Sequence, residues 1–136
     1  DELGWQGGFL RFAASRTRGA DRTTDAWLAS IDPLRAVVGV GWRGDEGGLE
    51  LVASAAARQQ DISDAGAFVA PGHAVLDLIA DWDLSSAWSV EAAVFNLADR
   101  RVWDATDTAG VPATSTLLDR YTRAGRNARI TITASF

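Results

Sequence analysis

The run Leu34-Arg35-Ala36-Val37-Val38-Gly39-Val40-Gly41-Trp42-Arg43 decides the fold. Successive side chains of a strand point to opposite faces. On that period Leu34, Ala36, Val38, Val40 and Trp42 share one face, and Arg35, Val37, Gly39, Gly41 and Arg43 share the other. The first face is apolar throughout; the second is mixed and carries the charge. Period 2 fits this and the other regular stretches far better than the helical period of 3.6.

The same alternation recurs on both sides of this run. Leu49, Leu51, Ala53, Ala55 and Ala57 oppose Glu50, Val52, Ser54, Ala56 and Arg58. Leu76, Leu78, Ala80 and Trp82 oppose Asp77, Ile79 and Asp81. Trp88, Val90, Ala92 and Val94 oppose Ser89, Glu91, Ala93 and Phe95, and a last strand runs from Ala128 to Phe136. A weaker strand is expected between Gly4 and Ala14, with Leu10, Phe12 and Ala14 on the apolar side. The charges Arg11, Arg35, Glu50, Arg58, Asp77, Asp81, Glu91 and Arg129 all fall on the mixed face, and none interrupts the apolar one.

Connections alternate between long (15–33, 59–72, 102–127) and tight (44–48, 83–87). Gly-Asp-Glu-Gly-Gly and Asp-Leu-Ser-Ser-Ala have the composition of hairpin turns, and no segment offers crossover helices for parallel pairing. The sequence therefore predicts an all-β fold, an antiparallel up-and-down meander of about six strands.

The 136 residues suffice for one domain. An apolar content of 47% with 23% charged residues is a globular balance, not a disordered one. A net charge of -5 argues against a nucleic-acid partner. The absence of cysteine removes disulfides, thiolate zinc sites and a cysteine nucleophile. No apolar run approaches the roughly 20 residues of a membrane helix, but a membrane strand needs only about 9–11 alternating residues. The chain starts at Asp1, contains no Met and has no signal-like leader. It is expected to be a mature piece or fragment.

Alternation alone does not say whether the apolar face meets a core or lipid. Two features favour lipid. Trp42, Trp82, Trp88 and Phe136 lie on the apolar face beside short turns or the C-terminus, as membrane-interface aromatics do. Short turns at one end and long loops at the other match outer-membrane barrels, with the aromatics on the periplasmic side. The alternative is a soluble antiparallel β-sheet binding module with no transport role, its apolar face forming the core.

Four segments carry a family resemblance. Residues 30–39 (Ser-Ile-Asp-Pro-Leu-Arg-Ala-Val-Val-Gly), residues 70–78 (Ala-Pro-Gly-His-Ala-Val-Leu-Asp-Leu), residues 95–101 (Phe-Asn-Leu-Ala-Asp-Arg-Arg) and the approach Leu118-Asp119-Arg120-Tyr121-Thr122…Gly125-Arg126-Asn127 resemble TonB-dependent outer-membrane receptors of the haemoglobin/transferrin/lactoferrin type. Phe95 to Arg101 is similar to their Asn-Leu-x-Asp signature, and terminal Phe136 completes the pattern. The sequence departs from that pattern at His73 and Ala128, where aromatics are usual, at Val102 for Tyr and at Ala124 for Pro.

The resemblance implies that residues 1–136 are the C-terminal portion of a receptor barrel in the outer membrane of a Gram-negative bacterium, without its plug domain and earlier strands. It implies a receptor that takes up haem or chelated iron, energised through TonB by way of the absent N-terminal part. Its other partners would be outer-membrane lipid, the plug and the remaining strands, and the segment would bind no cofactor and be no enzyme.

Candidate sites each have a plainer reading beside the functional one. His73, the only imidazole, could ligate haem iron, or serve as a polar ring at the membrane boundary. Asp77, Asp81, Asp83 and Glu91 could pair for acid–base work or a metal. The plainer reading makes them part of a hydrated lumen network with Arg35, Arg43 and Arg129. Arg120, Arg123, Arg126 and Arg129 could meet an anionic ligand or lipopolysaccharide phosphate, or form a solvated loop. No nucleophile elbow, phosphate loop or dinucleotide fingerprint occurs.

Overall fold

A computed structural model describes residues 6–17, 34–59 and 66–136. Six strands form one sheet: β1 (Gly8–Ser15), β2 (Arg35–Arg43), β3 (Gly47–Ala56), β4 (His73–Ser85), β5 (Trp88–Phe95) and β6 (Asn127–Ala134). The order β1-β2-β3-β4-β5-β6 is sequential and every pairing is antiparallel. The meander read from the alternation is the observed fold.

The strand ends differ from the expected ones in physically interpretable ways. β1 starts at Gly8, and the residues before Gln6, Gly4 included, lie outside the described ones. β3 ends at Ala56, so Ala57 and Arg58 follow the strand. β4 is longer than its apolar run at both ends, because His73 pairs with Ala56 and Ser85 with Trp88. Phe136 lies past the end of β6.

Register preserves the two faces across the whole sheet. Leu10 pairs with Val40, Val40 with Leu51, Leu51 with Leu78, and Leu78 with Val94, so apolar positions meet apolar positions from strand to strand. A slip of one residue anywhere would set this row against the charged one. Each apolar cross-strand pair contributes about 0.2–1 kcal/mol, so the register is specified many times over.

The apolar face is bare. On the interior strands Val38, Val40 and Leu76 each remain 40% exposed and Leu51 38%, although they have neighbours on both sides. The buried hydrophobic side chains of the strands, Val52, Ala56, Val75 and Ala93, belong to the opposite, charged face. Ala70, Val102, Ala105 and Thr108 of the two long connections are buried too, and Val102 lines one cavity with Val75 and Asp77. Among the described residues no second sheet packs on the Val38/Trp42 face, which is the reverse of a soluble β-sandwich.

Candidate functional site

The charged face is organised by pairing across strands. Asp81 on β4 lies directly opposite Glu91 on β5, a like-charge pair that is unfavourable unless compensated. Arg43 on β2 reaches across β3 and grips Asp81 with both guanidinium nitrogens at 2.9 Å, while Arg129 on β6 holds Glu91 at 2.6 Å. The charges thus run plus, minus, minus, plus across the sheet. The arm of Arg43 passes over Gly48, where an added Cβ would lie 3.3 Å from its guanidinium carbon.

A second bridge joins Arg11 on β1 to Glu50 on β3 at 2.5 Å. It crosses Gly39 of β2, and a Cβ there would sit 2.8 Å from Arg11 Nε. Glycine at this position therefore makes room for an ion pair between next-nearest strands. Arg129 also lies over the Phe95 ring, 5.7 Å from its centroid.

Two charges expected in this network sit elsewhere. Arg35 Nη2 donates to Asp104 Oδ1, 2.9 Å away in the β5–β6 connection. Asp77 Oδ1 accepts the backbone N–H of Asn96 at 2.8 Å. Arg58 is exposed just beyond β3.

Asp104 is a buried charge, its side chain only 10% exposed. It accepts from Arg35, from Arg123 Nη2 at 3.0 Å and from Arg123 Nε. Burial by itself would raise the carboxyl pKa, but the hydrogen bonds from Arg123 and Arg35, together with their charges, outweigh it and hold Asp104 below the ordinary carboxylate range.

His73 departs from its plainer reading. Its position in the register, opposite Ala56, puts it on the charged face and not among the membrane-interface aromatics. Its Nδ1 is buried, and the Pro71 backbone is a hydrogen-bonding neighbour of the imidazole. The imidazole lies within electrostatic reach of Asp104, Arg123 and Arg35.

The basic stretch is divided. Arg123 belongs to the Asp104 cluster and Arg129 to Glu91, while Arg120 and Arg126 are exposed. No group of three or more potential metal ligands occurs among the described residues. Sequence reasoning passed over Asp104, because only the fold carries a loop carboxylate to the start of β2.

The signature segment forms a corner. Asn96 and Asp99 adopt left-handed backbone, with φ of 52° and 50°. Both ends of the Asn96 amide bind Arg100, and Asp99 Oδ1 accepts the Arg126 N–H at 2.7 Å, one residue before β6 begins. The motif thus fixes both the exit from β5 and the entry to β6.

Residues 2–97 match the model of the family described as TonB dependent receptor-like, beta-barrel. The chain belongs to that family.

Solved TonB-dependent receptors share the fold. The copper transporter OprC superposes with a TM-score of 0.82 at 17% identity, covering 96% of this chain and 21% of that one. Two mutant forms of the ferric enterobactin receptor PfeA from Pseudomonas aeruginosa superpose at 0.74 and 0.73, with 19% and 18% identity, covering 98% and 99% of this chain. The chain spans about a fifth of their length, 20% and 21% respectively. A comparison with curated protein sequences finds no match. The open six-stranded sheet is thus a section of a TonB-dependent receptor barrel, and the narrower haemoglobin/transferrin/lactoferrin type has no support from these likenesses.

Proposed function

We propose that this chain is the C-terminal wall of an outer-membrane receptor that imports a complexed metal, with energy relayed by TonB through a part of the protein outside this chain. The apolar face contacts lipid, and the charged face lines the lumen and meets the plug. In this reading Arg11, Arg43, Glu50, Asp81, Glu91 and Arg129 keep the lumen wall hydrated, and the segment itself performs no chemistry.

The observation that carries this reading is the staggered placement of the aromatics. Trp42 is level, through the register, with Ala80 and Ala92; Trp82 is level with Val90; Trp88 is level with Ala134. From β2 to β5 the aromatic therefore moves four residues toward the short turns over three strand spacings. At about 3.3 Å per residue and about 4.8 Å per strand, one membrane height is kept if the strands tilt by about 40–45°. That is the tilt of membrane barrels. A soluble sheet has no reason to keep this stagger.

The imported metal is iron, as a siderophore chelate or as haem, or copper. The family resemblance of the four segments favours haem or chelated iron. The names of the structural neighbours bring in copper and a ferric siderophore as transported species. His73, on the charged face, is the residue among the described ones best suited to touch such a ligand.

Uptake by cells carrying the full-length receptor as their sole transporter of this class tests the proposal. Accumulation of ferric siderophore, haem iron or copper, lost when TonB is deleted, is the expected result. A receptor recovered without detergent in the aqueous fraction, or accumulation of none of the three, would contradict it.

A further inference from the structure

The apolar face is not uniformly smooth. An open cleft of about 490 Å³ crosses it from β1 to β4. Two register rows line it: Gly8, Trp42 and Leu49 form one, and Val40, Leu51 and Leu78 form the next. Glycine at position 8 puts no side chain into the first row. The Trp42 indole lies along the strand ends, its Nε1 donating to Gln6 O at 3.1 Å, while a Cβ at Gly44 would meet its ring. The one polar atom of that side chain is thus committed to the protein, and the cleft keeps apolar walls.

The course of the cleft follows from the strand tilt derived from the aromatics. Leu78 is four residues inward of Trp82 on β4, which at a tilt of about 40–45° places it about 9–10 Å inward along the membrane normal. Gly8 lies opposite Trp42. By the same drift the aromatic level on β1 runs one to two residues inward of Gly8, which sits about 3 Å on its water side. The cleft therefore climbs about 12–13 Å from the interface, half of the apolar band of about 25 Å that membrane barrels present. That is the depth of one leaflet.

The mouth of the cleft is acidic. Asp45 and Glu46 follow Gly44 in the β2–β3 turn and are exposed. Arg43, two residues before Asp45, is on the opposite face and held there by Asp81. Carboxylates at this place attract an ammonium group and disfavour a head group with net negative charge.

We propose that this cleft seats one acyl chain of a phospholipid from the periplasmic leaflet, with an amine-bearing, net-neutral head group of the phosphatidylethanolamine kind beside the β2–β3 turn. The proposal deepens the membrane reading and rests on it, since the apolar face must be the outside of a barrel for lipid to reach the cleft.

The test counts lipids retained by the full-length receptor in native mass spectrometry, during titration of the detergent-solubilised protein with phosphatidylethanolamine or phosphatidylglycerol. The unsubstituted receptor should retain one phosphatidylethanolamine at concentrations where phosphatidylglycerol is not held. Val40→Trp fills the middle of the cleft, and excluding about two methylenes from contact should raise the lipid needed about tenfold. Leu78→Trp fills the inner end and should act alike, which keeps the test decisive if one filled variant fails to assemble. Val38→Trp adds the same bulk to the same face outside the cleft and should retain lipid as the unsubstituted receptor does. Asp45→Asn combined with Glu46→Gln should hold the two lipids equally. Unchanged retention in the filled variants, an equal loss in Val38→Trp, or no retained lipid at all would overturn the seat. Equal retention of both lipids by the unsubstituted receptor would overturn the head-group assignment. If the seat fails while oxygen still reaches spin labels at positions 38 and 40 in bilayers, the membrane reading stands; shielding of those positions would overturn both.

Discussion

Asn96 holds the backbone of Arg100 at both ends of that residue: its Nδ2 donates to Arg100 O at 2.8 Å, and its Oδ1 accepts Arg100 N–H at 2.9 Å. The side chain imitates a neighbouring strand at the point where β5 has run out of partners. Asparagine suits the place because its amide both donates and accepts and because it tolerates left-handed backbone. The signature that carries the family resemblance is therefore a structural corner.

Replacing that side chain should be costly in a graded way. Asn96→Ala loses two buried hydrogen bonds and adds left-handed strain, a loss of about 2–3 kcal/mol. Asn96→Asp keeps the acceptor and loses the donor, so it should fall between. Denaturant unfolding of the detergent-solubilised receptor measures both, and equal stability of all three proteins would remove the corner from the account.

Gly39→Val should act through space already occupied. The added side chain displaces the Arg11–Glu50 pair lying over this glycine, with an overpacking cost of about 1–3 kcal/mol. Gly110→Val, where a Cβ meets no atom within 4 Å, is a control for strain without crowding because its φ is 74°. If Arg11→Ala restores most of the stability lost in Gly39→Val, crowding against the ion pair is the cause.

Asp104 sets a pH dependence whose direction is fixed. Its carboxyl is held below its unfolded value, so its contribution is complete above about pH 3.9 and is lost as the pH falls through the folded value. Hydrogen exchange at Thr108 and Val111 in the β5–β6 connection should be flat from neutral pH down to that point once corrected for intrinsic rates, then rise. Asp104→Asn should raise exchange at neutral pH and abolish the acid-dependent rise. A rise centred near neutrality would place the control elsewhere.

Facing can be tested by charge. Val38→Arg puts a guanidinium on the bare apolar face, where mid-membrane arginine costs roughly 2–4 kcal/mol, whereas Val37→Arg adds one to the charged face. Heat-modifiable mobility in gels should show impaired assembly for the first variant and not for the second. Equal assembly would refute the facing.

The sequence-legible part of this fold follows from its physics. Alternation has an exact period of 2, and a charge on the wrong face is expensive, so Arg35, Glu50, Asp81, Glu91 and Arg129 marked the sides of the sheet without any coordinates. Strand ends were less legible. His73 and Ser85 extend β4 by backbone pairing, which no side-chain pattern reports. The Asp104 cluster was invisible because Arg35 and Asp104 stand 69 residues apart and meet only when the long connection folds back. His73 was legible but misread: its parity with Val75 and Asp77 already put it on the charged face, while its place in the resembling segment suggested an interface aromatic.

Nitroxide labels introduced one at a time from residue 36 to residue 42 of β2, in the full-length receptor reconstituted in bilayers, test the central claim most directly. The account predicts that collision with oxygen, which concentrates in lipid, is high at positions 36, 38, 40 and 42 and low at 37, 39 and 41, with a water-soluble nickel chelate failing to reach the first set at mid-strand. Loss of the two-residue alternation, or its inversion so that the Val38/Val40 positions are shielded from oxygen, would contradict a sheet whose apolar face is the outside of a membrane barrel.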